Sequence, residues 1–101
     1  MIRNMLIPET NLQKATEGLK ALGHETRLTI MCHLMDGEMC VGDLEKVTKS
    51  SQSNLSQHLS KMKGLGVIVS EKRGQQVYYR LTNPAFSELI QALKVIYCPD
   101  L

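Results

Sequence analysis

Tryptophan is absent from this 101-residue chain, and phenylalanine occurs once. No apolar run approaches the roughly 20 residues that a membrane-spanning helix requires, so no association with a bilayer is expected. Cys-x-x-Cys, a glycine-rich phosphate loop and a local Ser, His and Asp signature are all missing. These absences argue against a small thiol reductase or peroxidase and against enzymes in general, and no cofactor is expected. Repeats, low-complexity segments and internal linkers are missing too. What remains is a length suited to one domain with one modest core, residues 1–101, preceded by an N-terminal extension over residues 1–10.

The opening MIRNMLIPET is too short and too interrupted to read as a secretory signal. Together with only three cysteines, Cys32, Cys40 and Cys98, that favours a reducing compartment, the cytoplasm, where thiols stay free unless chemistry is done on them. Net charge is +2, yet its distribution is uneven. From Lys49 to Arg80 six basic residues face one acidic residue, Glu71, while the remainder holds six basic and nine acidic residues. A basic segment on a mildly acidic body favours a polyanionic partner.

Within that segment, Ser50 to Gly66 reads SSQSNLSQHLSKMKGLG. At about 100° per residue, Gln52, Ser53, Ser56, Gln57, Ser60 and Lys63 fall in one arc of about 140°. Leu55, Leu59 and Met62 recur at helical spacing on another side, the pattern of a helix resting on a core with its polar face free. Serine hydroxyls and glutamine amides can meet base edges and phosphates, and a carboxylate there would repel the backbone of a duplex. Lys61 lies close by. A solvated, serine-rich face is the plainer alternative.

Taken in order, Thr10 or Asn11 can cap a first helix to about Leu22, with Leu12, Ala15, Leu19 and Leu22 as its apolar stripe. A second helix, from Glu25 or Thr26 to about Met35, is apolar over most of its circumference and reads as central and buried. Asp36-Gly37 breaks the chain. A short third helix follows, about Val41 to Val47, and a tight polar connection leads to the Ser50–Gly66 helix, with Ser51 as its expected cap. After Gly66 the period changes to two. Val67 and Val69, then Val77, Tyr79 and Leu81, mark two strands joined around Arg73-Gly74, with Lys72 and Arg73 as a cationic tip. Pro84 opens a closing helix with a broad apolar face, Phe86, Leu89, Ile90, Leu93, Ile96 and Tyr97, which Pro99 ends.

Four helices, a hairpin and a closing helix make a mainly α winged helix-turn-helix with a β-hairpin wing, in the order α-α-α-α-β-β-α. The first and last helices carry more apolar surface than one small core covers, which implies a homodimer joined through them. Two-fold symmetry then places two recognition helices about one duplex turn apart, facing a palindromic site.

Four blocks carry a resemblance to a known family: LGHETRLTIMCHL at 22–34, EMCVGDLEKV at 38–47, SSQSNLSQHLSKMKGLGVI at 50–68 and VYYRLT at 77–82. In this order and spacing the sequence resembles the ArsR-type winged helix-turn-helix repressors from about Leu12 onward. The resemblance implies binding to double-stranded operator DNA. It places Gln52, Ser53, Ser56, Gln57 and His58 at recognition-helix positions facing the major groove or its phosphates, and Lys72 and Arg73 in the wing. His58 lies on the flank of the polar arc, where support of helix packing is an equal alternative. Tyr78 and Tyr79 alternate in facing, each of them more readily core than a backbone contact.

Many members of this family sense metals. The thiol-rich site of the third helix reads Cys-Val-Cys-Asp-Leu in the family and Cys40-Val41-Gly42-Asp43-Leu44 here, one ligand short. The other familiar site pairs Asp and His near the start of the last helix with His and Glu near its end, but Pro84 to Tyr97 holds no histidine and one acid, Glu88. No metal site is therefore expected, although a metal-responsive repressor using Cys40 stays open. Cys32 and Cys98 resemble instead the dithiol of the persulfide-responsive BigR, SqrR and HlyU branch, which shares a Val-Ile-Tyr-Cys-Pro-like ending. The implied inducer is a reactive sulfur species or oxidant that joins the thiols and releases DNA. By itself, Cys32 reads more readily as a small apolar residue on a buried helix. Lys94, one turn before Cys98, favours a thiolate there, and a helix C-terminus opposes it. An activator that displaces a nucleoid protein would use the same residues.

Overall fold

The computed structural model describes residues 6–100. Residues 1–5 of the expected extension lie outside the described residues, and Glu9 and Thr10 belong to the first helix. The elements run α1 (Glu9–Leu22), α2 (Glu25–Leu34), β1 (Met39–Cys40), α3 (Val41–Thr48), α4 (Gln52–Gly64), β2 (Ile68–Arg73), β3 (Gln76–Leu81) and α5 (Phe86–Tyr97). Helix α1 starts after Pro8 and has no side-chain cap, so neither Thr10 nor Asn11 plays that part. Pro8 fits because its missing N–H would go unpaired at a helix start anyway.

One cluster of buried side chains organises the fold: Ala21 and Leu22 of α1, Ile30, Met31 and Leu34 of α2, Leu44 of α3, Leu55, Leu59 and Met62 of α4, then Val67, Ile68, Leu81 and Ile90. Helix α2 is central as its composition implied, yet it buries one face only, and Cys32 stands exposed on the other. The core reading of Cys32 therefore fails in this chain. Leu12 and Leu19 of the expected α1 stripe are exposed, and so is Val47 of α3.

A third strand joins the hairpin. The antiparallel sheet has the order β1-β3-β2, with Met39 opposite Tyr79 and Cys40 opposite Tyr78. The wing pairs Ile68 with Leu81 down to Arg73 with Gln76, and Gly74 turns the chain at φ +63°, a conformation that costs glycine little. The expected alternation marked Val67 and Val69 as the inward pair. Val67 and Ile68 are the buried ones, because Val67 still closes the end of α4 through its N–H to the Met62 carbonyl at 3.1 Å.

Candidate nucleic-acid interface and thiol pair

Helix α4 is fixed at its start by Ser51, whose Oγ accepts from the Asn54 N–H at 3.2 Å. Such a cap typically contributes about 1 kcal/mol. The turn before it is held by Lys49 in the left-handed region at φ 55°, its N–H donating to the Glu45 carbonyl at 3.0 Å. Thr48 Oγ1 donates to the Leu44 carbonyl at 2.7 Å. With Leu55, Leu59 and Met62 buried, the opposite side carries Gln52, Ser53, Ser56, Gln57, Ser60, Lys61 and Lys63, all exposed. The polar arc read from helical spacing is thus one continuous solvent-facing surface without a carboxylate.

His58 stands at its edge, half-buried, its ring 4.3 Å from that of His24 at an interplanar angle of 45°. His24 is the N-cap of α2, and its Nδ1 accepts from the Thr26 N–H at 3.1 Å. Burial first, then the nearby His24 and Arg27, push the His58 imidazole below its ordinary value and favour the neutral ring. Helix α4 and the start of α2 therefore meet through two imidazoles, a contact for which the sequence carried no local signal.

In the wing, Lys72 is exposed, and Arg73 is engaged within the protein. The Arg73 guanidinium donates to Glu38, lies 3.6 Å from Glu71 and sits 4.0 Å from the centroid of the Tyr78 ring. The hydrogen bond to Glu38 raises the guanidinium above its usual value and lowers the carboxyl, each favouring its charged form. Tyr79, half-buried, packs against the core, and burial pushes its hydroxyl up.

At the far side, Cys32 of α2 and Cys98 at the end of α5 line one apolar pocket of about 530 Å³, together with Leu28, Met35, Ile90 and Lys94. Both thiols are free, as is Cys40, which is half-buried where β1 runs into α3. Though exposed, the Cys32 thiol is partly desolvated beside the pocket, which pushes it up and disfavours its thiolate at rest. The Cys98 N–H closes α5 on the Lys94 carbonyl at 2.7 Å. Among the described residues, no group of three or more His, Cys, Asp or Glu is placed to share a metal ion. None of the described helices is long and apolar enough to cross a membrane.

A capped polar helix standing free on a buried triad, with a two-stranded wing beside it, defines the chain as a winged helix-turn-helix protein of the DNA-binding regulator class. Residues 24–70 match the model of the family described as "Bacterial regulatory protein, arsR family". The transcriptional activator HlyU of Vibrio cholerae is 39% identical over 95 residues, 94% of this chain and 88% of that protein. The biofilm growth-associated repressor of Xylella fastidiosa is 38% identical over 80 residues, 79% and 70% of the two chains.

Solved structures agree. HlyU from Vibrio cholerae superposes with a TM-score of 0.81 at 40% identity, covering 90% of this chain and 99% of that one. Reduced HlyU gives 0.79 at 40% identity over 89% and 95% of the two chains, and BigR from Xylella fastidiosa 0.81 at 34% identity over 89% and 92%. The chain belongs to the ArsR family of transcriptional regulators, which are not enzymes, on the branch that includes HlyU and BigR.

Proposed function

We propose that this chain is a homodimeric repressor that occupies a palindromic operator while Cys32 and Cys98 are reduced and leaves it when the two are joined. The observation that carries the reading is the shared pocket: thiols far apart in sequence line one apolar recess between α2 and α5. A relative whose structure is named for its reduced form supports a redox-dependent state. Joining balances without a further reagent if the inducer is a persulfide. One cysteine takes the outer sulfur and releases a thiol, and the second then displaces that sulfur as hydrogen sulfide, leaving a disulfide. A second persulfide would instead leave a longer sulfur bridge.

Gln52, Ser53, Ser56 and Gln57 read base edges and phosphates, with Lys61, Lys63 and Lys72 on phosphates. His58 braces the helix against His24. The second subunit joins through α1 and α5, whose exposed Leu19, Leu89, Val95, Ile96 and Tyr97 form an apolar surface that water does not favour. Joining the thiols ties α5 to α2, which lies directly behind the reading pair, and so changes the spacing of the two recognition helices.

Fluorescence-anisotropy titration of reduced and persulfide-treated protein on a palindromic duplex tests this. The reduced form should bind more tightly, with strong salt dependence. Equal affinities would remove the sensing half of the proposal. A second reading rests on a relative named as an activator: the same contacts would raise transcription by displacing a nucleoid protein. Transcript levels after deletion of the gene separate the two, rising for a repressor and falling for a displacing activator.

A further inference from the structure

Arg73 stands at the wing tip of a basic segment, where a phosphate contact is the simple expectation. Its surroundings point elsewhere. Glu38 precedes β1 at one side of the sheet, Arg73 ends β2 on the other, and the guanidinium crosses between them over Tyr78 of the middle strand β3. Glu71, two residues before Arg73 on the same strand, adds a second carboxylate at 3.6 Å. One side chain thus reaches from β2 across β3 to the residue that precedes β1, and its charge is matched by two acids. β1 is only two residues long and runs straight into α3, so its ladder alone holds the wing weakly to the start of that helix.

We infer that Arg73 is a positioning residue, clamped by Glu38 to set the angle of the wing against the recognition helix, and that Lys72 is the wing's phosphate-binding cation. Lys72 is exposed, and among the described residues it makes no ion pair. The inference rests on the DNA-binding reading above. It yields an outcome opposite to simple electrostatics. Removing the negative charge of Glu38 from a protein that binds a polyanion should weaken binding, because the wing loses its orientation.

The test is the affinity of the full-length reduced protein for a palindromic duplex at several salt concentrations. Glu38→Gln and Arg73→Gln should each lower affinity by about fivefold, the scale of an exposed ion pair with a cation–π contact. Neither should change the salt slope. Lys72→Ala should make the slope shallower by about 0.9, one phosphate's worth of released counterion. The double variant E38Q/R73Q should be no weaker than either single one, and the exchange E38R/R73E should recover part of the loss.

If Arg73 binds phosphate instead, Arg73→Gln makes the salt slope shallower and Glu38→Gln binds as tightly as the unaltered protein or tighter. Either result overturns the assignment. Failure of the unaltered protein to bind duplex DNA at low salt would overturn the DNA-binding reading itself. Duplex binding that Glu38→Gln leaves unchanged overturns the clamp alone.

Discussion

Helix α4 sinks Leu55, Leu59 and Met62 into the core at 1% exposure or less, whereas α5 sinks only Ile90, at 7%, and leaves Val95, Ile96 and Tyr97 at 64% to 76%. The two helices have similar lengths, 13 and 12 residues. Their attachment differs because α4 lays its narrow apolar stripe wholly on the core, while α5 carries a broader apolar face than the core beside it can cover. A reading surface gains from the first arrangement, since side chains held on a rigid helix lose less entropy on binding. A responsive element gains from the second, because moving α5 disturbs few buried contacts.

The hardest way to break the contrast is to cut the anchor of α4. Leu59→Ala should destabilise the fold by about 2–5 kcal/mol, the usual cost of a cavity at a fully buried leucine, measured by urea denaturation. An unchanged midpoint would mean that α4 is not held as its burial implies. The next change leaves the anchor and removes one proposed reader. Gln57→Ala should keep the denaturation midpoint and weaken operator binding by about 1–3 kcal/mol if the amide makes a bidentate base contact. Full operator affinity in that variant would take Gln57 off the reading surface.

A smaller effect concerns the joint between α2 and α4. The His58 imidazole lies below its ordinary value of 6.5 in the folded protein, so the unfolded chain binds more protons at mildly acid pH. The stability linked to this group is present above that value and is lost as pH falls through it towards the lower folded value. Urea midpoints should decline as the pH is lowered from neutral, and His58→Gln should flatten the decline. Parallel declines in both proteins would assign the acid sensitivity to other groups. The least change is expected at the loose end: Cys98→Ser should bind the operator like the unaltered protein when reduced, yet fail to leave it after persulfide treatment. Weak binding by the reduced variant would make Cys98 a structural residue.

Periodicity located every helix to within a few residues, because each carries enough turns for the 3.6-residue pattern to register, and the change to period two located the wing. The strand Met39–Cys40 escaped, since two residues have no period and are extended only because Tyr78 and Tyr79 lie opposite. The polar face of α4 was legible for the same reason as the helix itself. The state of Arg73 was not, because its partner Glu38 lies 35 positions away. Cys32 misled in the other direction. An apolar stretch suggests burial all round, whereas burial ends where neighbouring helices end.

By itself the order of residues determined which segments become helix or strand, which side of α4 stays polar, and where positive charge gathers, all consequences of interactions a few positions apart. Only the tertiary structure decided that Cys32 and Cys98 line one recess, that two histidines join α2 to α4, and that the wing's arginine is held by its own protein. Each of these depends on packing the helices and sheet around one shared core, and contacts between distant residues leave no local pattern in the chain.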